Sequence, residues 1–487
     1  MVRPRRAAER FGSVLRPAIA VLALAAAACH GNPGPPLRPA PRSVTETDRA
    51  FLDTLEEKTF RYFWDLGRGD NGLVPDRFPT PSFSSIAAVG FALSGYAIGA
   101  ERAYVTREEA RERVLGTLRF FAHVPSGKVG TGAAGDHGFF YHFLDMETGA
   151  RYGTVELSTI DTALFLAGAL SCARYFDRPV APEKEIRDLA EELYRRADWA
   201  WAQARPPAVS MGWTPEKGFL AYDWQGYNEG MLVYVLALGS PTHAIDAAAW
   251  PRYTSTYFWS RFEGEEYVAF ASLFGYQFSH AWIDFRGPRD PYMRAKGIDY
   301  FENSRRATYA QRRYAIDNPG RWKGYDERAW GLSACDGPAD VALDVDGRRR
   351  RFFTYAARGV SAREIRDDGT ITPSAAAGSL PFAPEIAIPA LEAMFERYGP
   401  NVLSRYGFLD AFNPSFPAGH PLHHGRMEPG LGWFDTDYLG IDEGVILAMI
   451  ENWRSGFLWS LMRRDPHVIR GMRRAGFAGG WLDAAPP

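Results

Sequence analysis

Residues 84–100 read SSIAAVGFALSGYAIGA. No charge interrupts the run, and apolar side chains fall on every face of a 3.6-residue spiral. The stretch therefore predicts a helix buried on both sides. The segment at 106–124, TREEARERVLGTLRFFAHV, has the opposite character. It is apolar along one side only, which predicts a helix on the outside. The same contrast recurs along the chain. STIDTALFLAGAL (158–170) is apolar, with Ile160, Leu164 and Ala167 on one face, and APEKEIRDLAEELYRRADWAWAQ (181–203) is amphipathic. NEGMLVYVLAL (228–238), PEIAIPALEAMFERYG (384–399) and DEGVILAMIENWRSGFLWSLM (442–462) extend the pattern. Upstream, TDRAFLDTLEEKTFRYFWDL (47–66) carries Phe51, Leu55, Thr59, Tyr62 and Phe63 on one stripe, a helix with a Thr or Asp start. Alternation of this kind predicts an all-α fold with two concentric helix layers, an α/α toroid. No repeat of fixed period accompanies it. Two short hairpins are expected in the loops. One lies in GFFYHFLDMETGARYGTV (138–155), turning at ETG; the other lies in 339–359 and turns at Asp346-Gly347.

The chain has 487 residues and a net charge of −2. This balance gives no basic face for nucleic acid, and the short run GRRRRFF (347–353) is read as a solvated strand edge. The N-terminus reads as an export signal: an Arg-rich start, MVRPRRAAER, then the apolar AIAVLALAAAAC, too short for a membrane span. Small residues directly before Cys29 resemble a bacterial lipobox, although Ala26 stands where Leu is usual. Residues 1–28 are thus expected to form a lipoprotein signal peptide, with lipid on Cys29. The Pro-rich 29–44 would be a tether, and 45–484 one catalytic-size domain. The alternative is a plain secretory signal whose cysteine is incidental. Cys172 and Cys335 are too few for a disulfide framework and are expected buried or free.

GTGAAG at 130–135 matches G-x-G-x-x-G, but a strand-like segment rather than a helix follows it, so a mobile loop is the better reading than a nucleotide site. His420, His423 and His424 cluster in HPLHHG, yet the flanking Pro and Gly argue against a helical metal motif, and no metal is expected.

The carboxylates carry more. Asp161 fits a capping box with Ser158, in which the acid reaches back to the backbone. Glu156 lies outside that box, and capping does not explain it. Glu229 stands where the apolar 230–239 run begins, and Asp442 and Glu443 where 444–450 begins. Acids are common in first helical turns, so each alone says little. In a toroid, however, inner helices run parallel and their N-termini open onto one face, where such acids would converge. A general acid needs burial or a like charge to hold its proton near neutral pH. Glu229, beside Trp224 and Tyr227, is the candidate.

Eight segments together resemble the bacterial glycoamylase-like domain family, which includes endo-β-1,2-glucanases. In order they are NGLVPDR (71–77), 84–110, GFFYHFLDMETG (138–149), ELSTIDTALFLAG (156–168), YNEGMLVYVLALGSPTH (227–243), 380–399, YGFLDAFNP (406–414) and YLGIDEGVILAMIENWRSG (438–456). The resemblance implies an α/α six-hairpin toroid and an inverting β-glucan hydrolase without cofactor. It implies Glu229 as the acid and Asp145, Glu156 and Asp161 as an essential carboxylate cluster. The base stays open among Glu156, Asp161 and Asp442. Many relatives carry Gln where this chain has Glu443, whose extra charge could shift Asp442.

The expected function is an exported, lipid-anchored glycoside hydrolase cutting a β-glucan, β-1,2-glucan foremost, as a monomer. A transglycosylase, a lyase or a non-catalytic glycan-binding lipoprotein are the alternatives. Phe139, Tyr141, Trp224, Trp322 and Trp433 are read as sugar-stacking rings with a core role as the alternative to each, and Arg305 and Gln311 as partners for sugar hydroxyls.

Overall fold

The computed structural model describes residues 38, 42–127 and 132–486, all within one compact unit, Pro36–Pro487. The signal segment and Cys29 lie outside the described residues, as do 128–131 of the GTGAAG loop. What is described of that loop leads into the strand pair Gly135–Asp136 and Phe139–Phe140, not into a helix, so the dinucleotide motif has no structural context.

Long helices dominate. They are α1 (Glu46–Leu66), α2 (Ile86–Glu101), α3 (Arg107–His123), α4 (Thr159–Tyr175), α5 (Ala181–Arg196) and α6 (Gly230–Gly239). Then follow α7 (Ala249–Thr254), α8 (Phe278–Trp282), α9 (Pro291–Lys296), α10 (Tyr300–Asp317), α11 (Pro373–Gly378), α12 (Pro384–Tyr398), α13 (Gly440–Arg454), α14 (Phe457–Met462) and α15 (Pro466–Arg474). Thr45 caps α1 in a full box with Asp48, and Thr106 caps α3 in a full box with Glu109.

The predominantly apolar helices are the buried ones. α2, α4, α6 and α13 hide nearly every residue, whereas α3 and α5 bury one side only. α2 packs on α4, α4 on α6, α6 on α8, α8 on α13, and α13 back on α2. α1, α3, α5 and α15 lie against the members of this series.

The α2–α4 crossing is a backbone-to-backbone contact with a readable cause. Gly90 and Gly168 face each other across it. A Cβ on Gly168 would fall 2.1 Å from the Gly90 carbonyl oxygen, and one on Gly90 would fall 2.5 Å from that of Leu164. Neither backbone can yield without separating the helices, so Gly168→Val is expected to cost about 1–3 kcal/mol or more of stability. Urea unfolding of the variant checks this; an unchanged midpoint would contradict the packing.

Strands are short and sit where inner helices begin. Ser84–Ser85 leads into α2, Leu157–Ser158 into α4 and Tyr438–Leu439 into α13. Each pairs with a segment from elsewhere: Ser84 with Leu144, Leu157 with Trp213, and Leu439 with Arg77. These pairings fix the helix starts, and the loops around them, as one connected rim. The hairpin expected in 138–155 forms only in part. Its turn is present, with Asp145 N–H donating to Ala150 O at 2.8 Å, but Phe143–Leu144 finds its strand partner in Ser84–Ser85. The second hairpin forms as expected: Val341–Val345 pairs with Arg348–Phe352 around Asp346 (φ 50°) and Gly347 (φ 74°). Two consecutive left-handed residues are what a two-residue type I′ turn requires. Cys172 and Cys335 are both buried and free.

Candidate active site

The rim brings acids together in two arms. In the first, the imidazole of His142 stands between two carboxylates. Its Nδ1 lies 2.9 Å from Glu156 Oε1, and its Nε2 lies 3.6 Å from Asp161 Oδ2. Burial alone would lower the pKa of His142, but Asp161, Glu156 and Asp76 reverse the effect and hold it at about 9. The hydrogen bond from this imidazolium in turn keeps Glu156 below the usual carboxylate range.

Asp161 departs from the expected capping box. Ser158 Oγ accepts from the Asp161 N–H at 3.2 Å, as a cap should, but the Asp161 carboxylate takes the Ser158 hydroxyl proton instead of the backbone N–H. The buried carboxylate is left facing His142.

Glu229 closes this arm. It is the residue before α6, and its side chain makes no capping bond. Its Oε2 is buried without a protein partner. Burial is the main cause that raises its pKa to about 7, and the charge of Asp161 adds to it. Trp224 sets its position. The indole Nε1 donates to Thr159 Oγ1 at 2.9 Å, tying the loop before α6 to the start of α4, and its ring lies 2.8 Å from where a Cβ on Gly230 would be.

The second arm surrounds the start of α13. Asp442 is buried; burial lifts its pKa to about 6, while hydrogen bonds from Asp410 and Ser374 pull the other way. Burial and the neighbouring charge of Asp442 push Asp410 well above the usual carboxylate range. The Asp336 N–H donates to Asp410 Oδ2 at 2.7 Å, and Arg77 Nη1 donates to Asp336 Oδ2 at 2.6 Å. Beyond lies His424, whose Nε2 is 3.0 Å from Asp435 Oδ1 and 3.2 Å from Asp437 Oδ2. Asp435 and then Asp437 draw His424 up to about 10.

Asp76 joins the arms. Its charge acts on both His142 and Asp442, and its own carbonyl accepts the Gly440 N–H at 2.7 Å. Tyr355 marks the open side. The ring is 56% exposed, yet the crowding protein and then Asp442, Asp410 and Asp76 raise its phenol pKa. This solvent-facing ring lies within reach of three largely buried acids.

The raised carboxyls have a consequence for stability. Glu229 at about 7 and Asp442 at about 6 sit above their unfolded values of about 4.3 and about 3.9. Between these values the native state binds more protons than the unfolded chain. Their stabilising contribution is therefore complete below the unfolded values and is lost as pH rises through 6 to 7. Urea unfolding from pH 5 to 8 is expected to show a decline that is shallower in Glu229→Gln; an identical slope would contradict the burial of this acid.

Several residues expected to touch sugar are committed to the fold. Trp433 is fully buried and donates from its indole to His424 O at 2.7 Å. Gln311 spends its amide on Ala271 O, Leu332 O and the Leu332 N–H. Tyr141 is buried, with the Arg151 guanidinium 4.7 Å from its ring centre, and Phe139 is core. Trp224 is the positioning ring just described, and Trp322 donates to Asp367 Oδ2 at 2.6 Å. Arg305 pairs with Glu385 at 3.1 Å, and Asp145 caps the turn at Glu147 and Thr148. Glu443 points to Thr59 and Gly407, and burial, with the charge of Asp442 adding to it, pushes its carboxyl well above the usual range. His420 and His423 stay exposed, and only His424 of the three joins the acids.

Sequence reasoning did not single out Asp76, Arg77, His142, Asp336, Asp410, Asp435, Asp437, His424 or Tyr355 for the site. The signal for four of them was present, since NGLVPDR holds Asp76 and Arg77, GFFYHFLD holds His142 and YGFLDAFNP holds Asp410.

A helix-rich chain with paired acids at its helix starts has the features of a carbohydrate-active enzyme, and comparison with known proteins agrees. Over residues 221–466 the chain matches the family described as "Glycoamylase: Putative glucoamylase", and it belongs to that family. It is 27% identical over 462 residues to an exo β-1,2-glucooligosaccharide sophorohydrolase (non-reducing end) of Parabacteroides distasonis. That alignment takes in 88% of this chain but 58% of the length of that relative. Among solved structures, a Bacteroides fragilis protein described as a "putative glucoamylase" is 29% identical, with a TM-score of 0.76, covering 91% of this chain and all of its own. An endo-β-1,2-glucanase of Chitinophaga pinensis, solved with sophorotriose and glucose, is 25% identical with a TM-score of 0.75, covering 89% and 99% of the two chains.

Proposed function

We propose that this protein hydrolyses β-1,2-glucan by inversion, with Glu229 as general acid and Asp442 as general base. One observation supports the assignment: two carboxyls are held near neutrality, Glu229 beside Asp161 in one arm and Asp442 at the start of α13 in the other, and Asp76 acts on both arms. Glu229, at about 7, retains a proton to give, and Asp442, at about 6, is mostly free to accept one. Values near the working pH are what acid and base catalysis require. Glu156 is a weaker base because its ion pair with His142 holds it low. Asp161 stands on the side of the acid and serves by raising it.

In the reaction Glu229 protonates the glycosidic oxygen as the bond to the anomeric carbon breaks. Asp442 takes a proton from a water that attacks the opposite face. Proton exchange with solvent then restores both carboxyls. Room for that water calls for carboxyls roughly 6.5–9.5 Å apart. Tyr355 and the exposed Tyr152, whose ring packs on Phe83 at 4.7 Å, offer flat faces for glucose units.

The succession of inner-helix contacts from α2 round to α13 and back supports an α/α toroid as the scaffold. The lipobox-like approach to Cys29 supports export and lipid anchoring in the bacterial envelope, and the chain is taken to act as a monomer on an oligo- or polysaccharide. Purified protein incubated with linear β-1,2-glucan is expected to release sophoro-oligosaccharides whose new reducing end is first the α-anomer by proton NMR. Appearance of the β-anomer first would mean retention and overturn the acid–base assignment.

A further inference from the structure

Asp336, His424 and Asp435 come from three loops, and each places one donor atom within 4.8 Å of the others. His424 and Asp435 flank the pairing of Arg426–Glu428 with Gly432–Phe434, so one hairpin sets their spacing. His424 Nε2 lies 3.0 Å from Asp435 Oδ1 and 3.2 Å from Asp437 Oδ2, yet makes no directed hydrogen bond to either. Oxygens that crowd a ring nitrogen from the side leave its axis open. A cation on that axis, at ligand distances of about 2.0–2.3 Å, brings ligands at right angles to roughly 3 Å from one another, which is the spacing seen.

A second observation is independent of this spacing. Asp435 and Asp437 are fully buried; Asp435 Oδ2 lacks a protein partner, and Asp437 Oδ2 accepts no directed hydrogen bond, with His424 Nε2 at 3.2 Å and Arg77 Nη1 at 3.7 Å. Bare buried carboxylate oxygens are costly unless something cationic meets them. The other oxygens are fixed in advance. Asp435 Oδ1 accepts from the N–H groups of Thr436 and Asp437, and Asp437 Oδ1 accepts from Thr80 N–H and Oγ1. Arg77 fixes Asp336. Six carboxylates (Asp76, Asp336, Asp410, Asp435, Asp437 and Asp442) gather here against one guanidinium, Arg77, and two imidazoles, His424 and, at Asp76, His142.

We propose that Asp336, His424 and Asp435, with Asp437 beside them, bind one divalent cation. Carboxylates with a single imidazole favour a first-row ion such as Mn²⁺ or Zn²⁺ over Ca²⁺. Through Asp336 and Asp410 the ion braces the arm that holds Asp442. The inference does not rest on the glucan reading, because its test reads binding alone.

Full-length protein stripped with a chelator is titrated with MnCl₂, ZnCl₂ and CaCl₂ by calorimetry, with Mn²⁺ binding followed also by electron paramagnetic resonance. The expected result is one saturable equivalent of Mn²⁺ or Zn²⁺, with weaker Ca²⁺ binding and a raised melting temperature. His424→Gln and Asp435→Asn are each expected to weaken it by about tenfold or more, and the exposed control Glu147→Gln to leave it unchanged. No saturable binding to the wild type overturns the site, whether or not the variants fold. Equal affinity in folded variants overturns the ligand set, and preferred Ca²⁺ overturns the class of ion.

Discussion

Glu229→Gln is expected to lower kcat on β-1,2-glucan by about 10²–10⁴-fold while the protein stays folded. The substitution keeps the shape of the side chain and removes only the transferable proton. Folding should survive because the carboxyl makes no capping bond and its Oε2 has no partner to lose. The pH profile gives a second reading. Activity needs Glu229 protonated, so it falls as pH rises above about 7; it needs Asp442 ionised, so it falls below about 6. The wild type is therefore expected to show a narrow bell between these limits, and the variant to lose its alkaline limb. A dinitrophenyl glycoside, whose leaving group needs no proton, should recover much of the lost rate. A variant with full activity on glucan would remove Glu229 as the acid.

Asp442→Asn is expected to cost a similar factor of about 10²–10⁴ in kcat, with rescue by azide. Azide needs no deprotonation and fits where the base is missing, so it should attack the anomeric carbon directly and yield the α-glycosyl azide from a β-linkage. Rescue in Asp442→Asn and not in Glu156→Gln or Asp161→Asn separates the base from its neighbours. Asp410→Asn is a useful contrast. Asp410 is held well above the usual carboxylate range beside Asp442, and an asparagine amide keeps the shape and the uncharged state that this direction favours. Its effect should be modest and appear as a moved acid limb of the pH profile. Azide rescue in Glu156→Gln instead would transfer the base to the His142 arm.

The helices were legible because burial writes itself into composition. The 84–100 run has no charge to solvate, and it is the helix whose Gly90 lets α4 approach to backbone contact. Asp161, Glu229 and Asp442 were legible because acids at the starts of apolar helices are few and recur. The rest of the site was hidden for a different reason. Asp76, Asp336, Asp410 and Asp435 lie in loops, and long-range contacts such as the pairing of Arg77 with Leu439 and the bond from Asp336 N–H to Asp410 bring them to the helix starts. No local pattern encodes such long-range contacts. The aromatic residues misled for the converse reason. Trp433 and Tyr141 have the composition of a sugar platform, but a large ring in a helical protein buries as readily as it stacks on a ligand, and sequence gives no direction to the ring.

The central claim is that Glu229 and Asp442, from opposite arms, act on one sugar chain. Its most direct test is a crystal structure of Glu229→Gln soaked with a β-1,2-gluco-oligosaccharide. The account predicts the residue 229 amide against a glycosidic oxygen, and Asp442 across the same sugar with a water between them. An oligosaccharide seated with Asp442 remote from the scissile bond, or bound away from both arms, would contradict it.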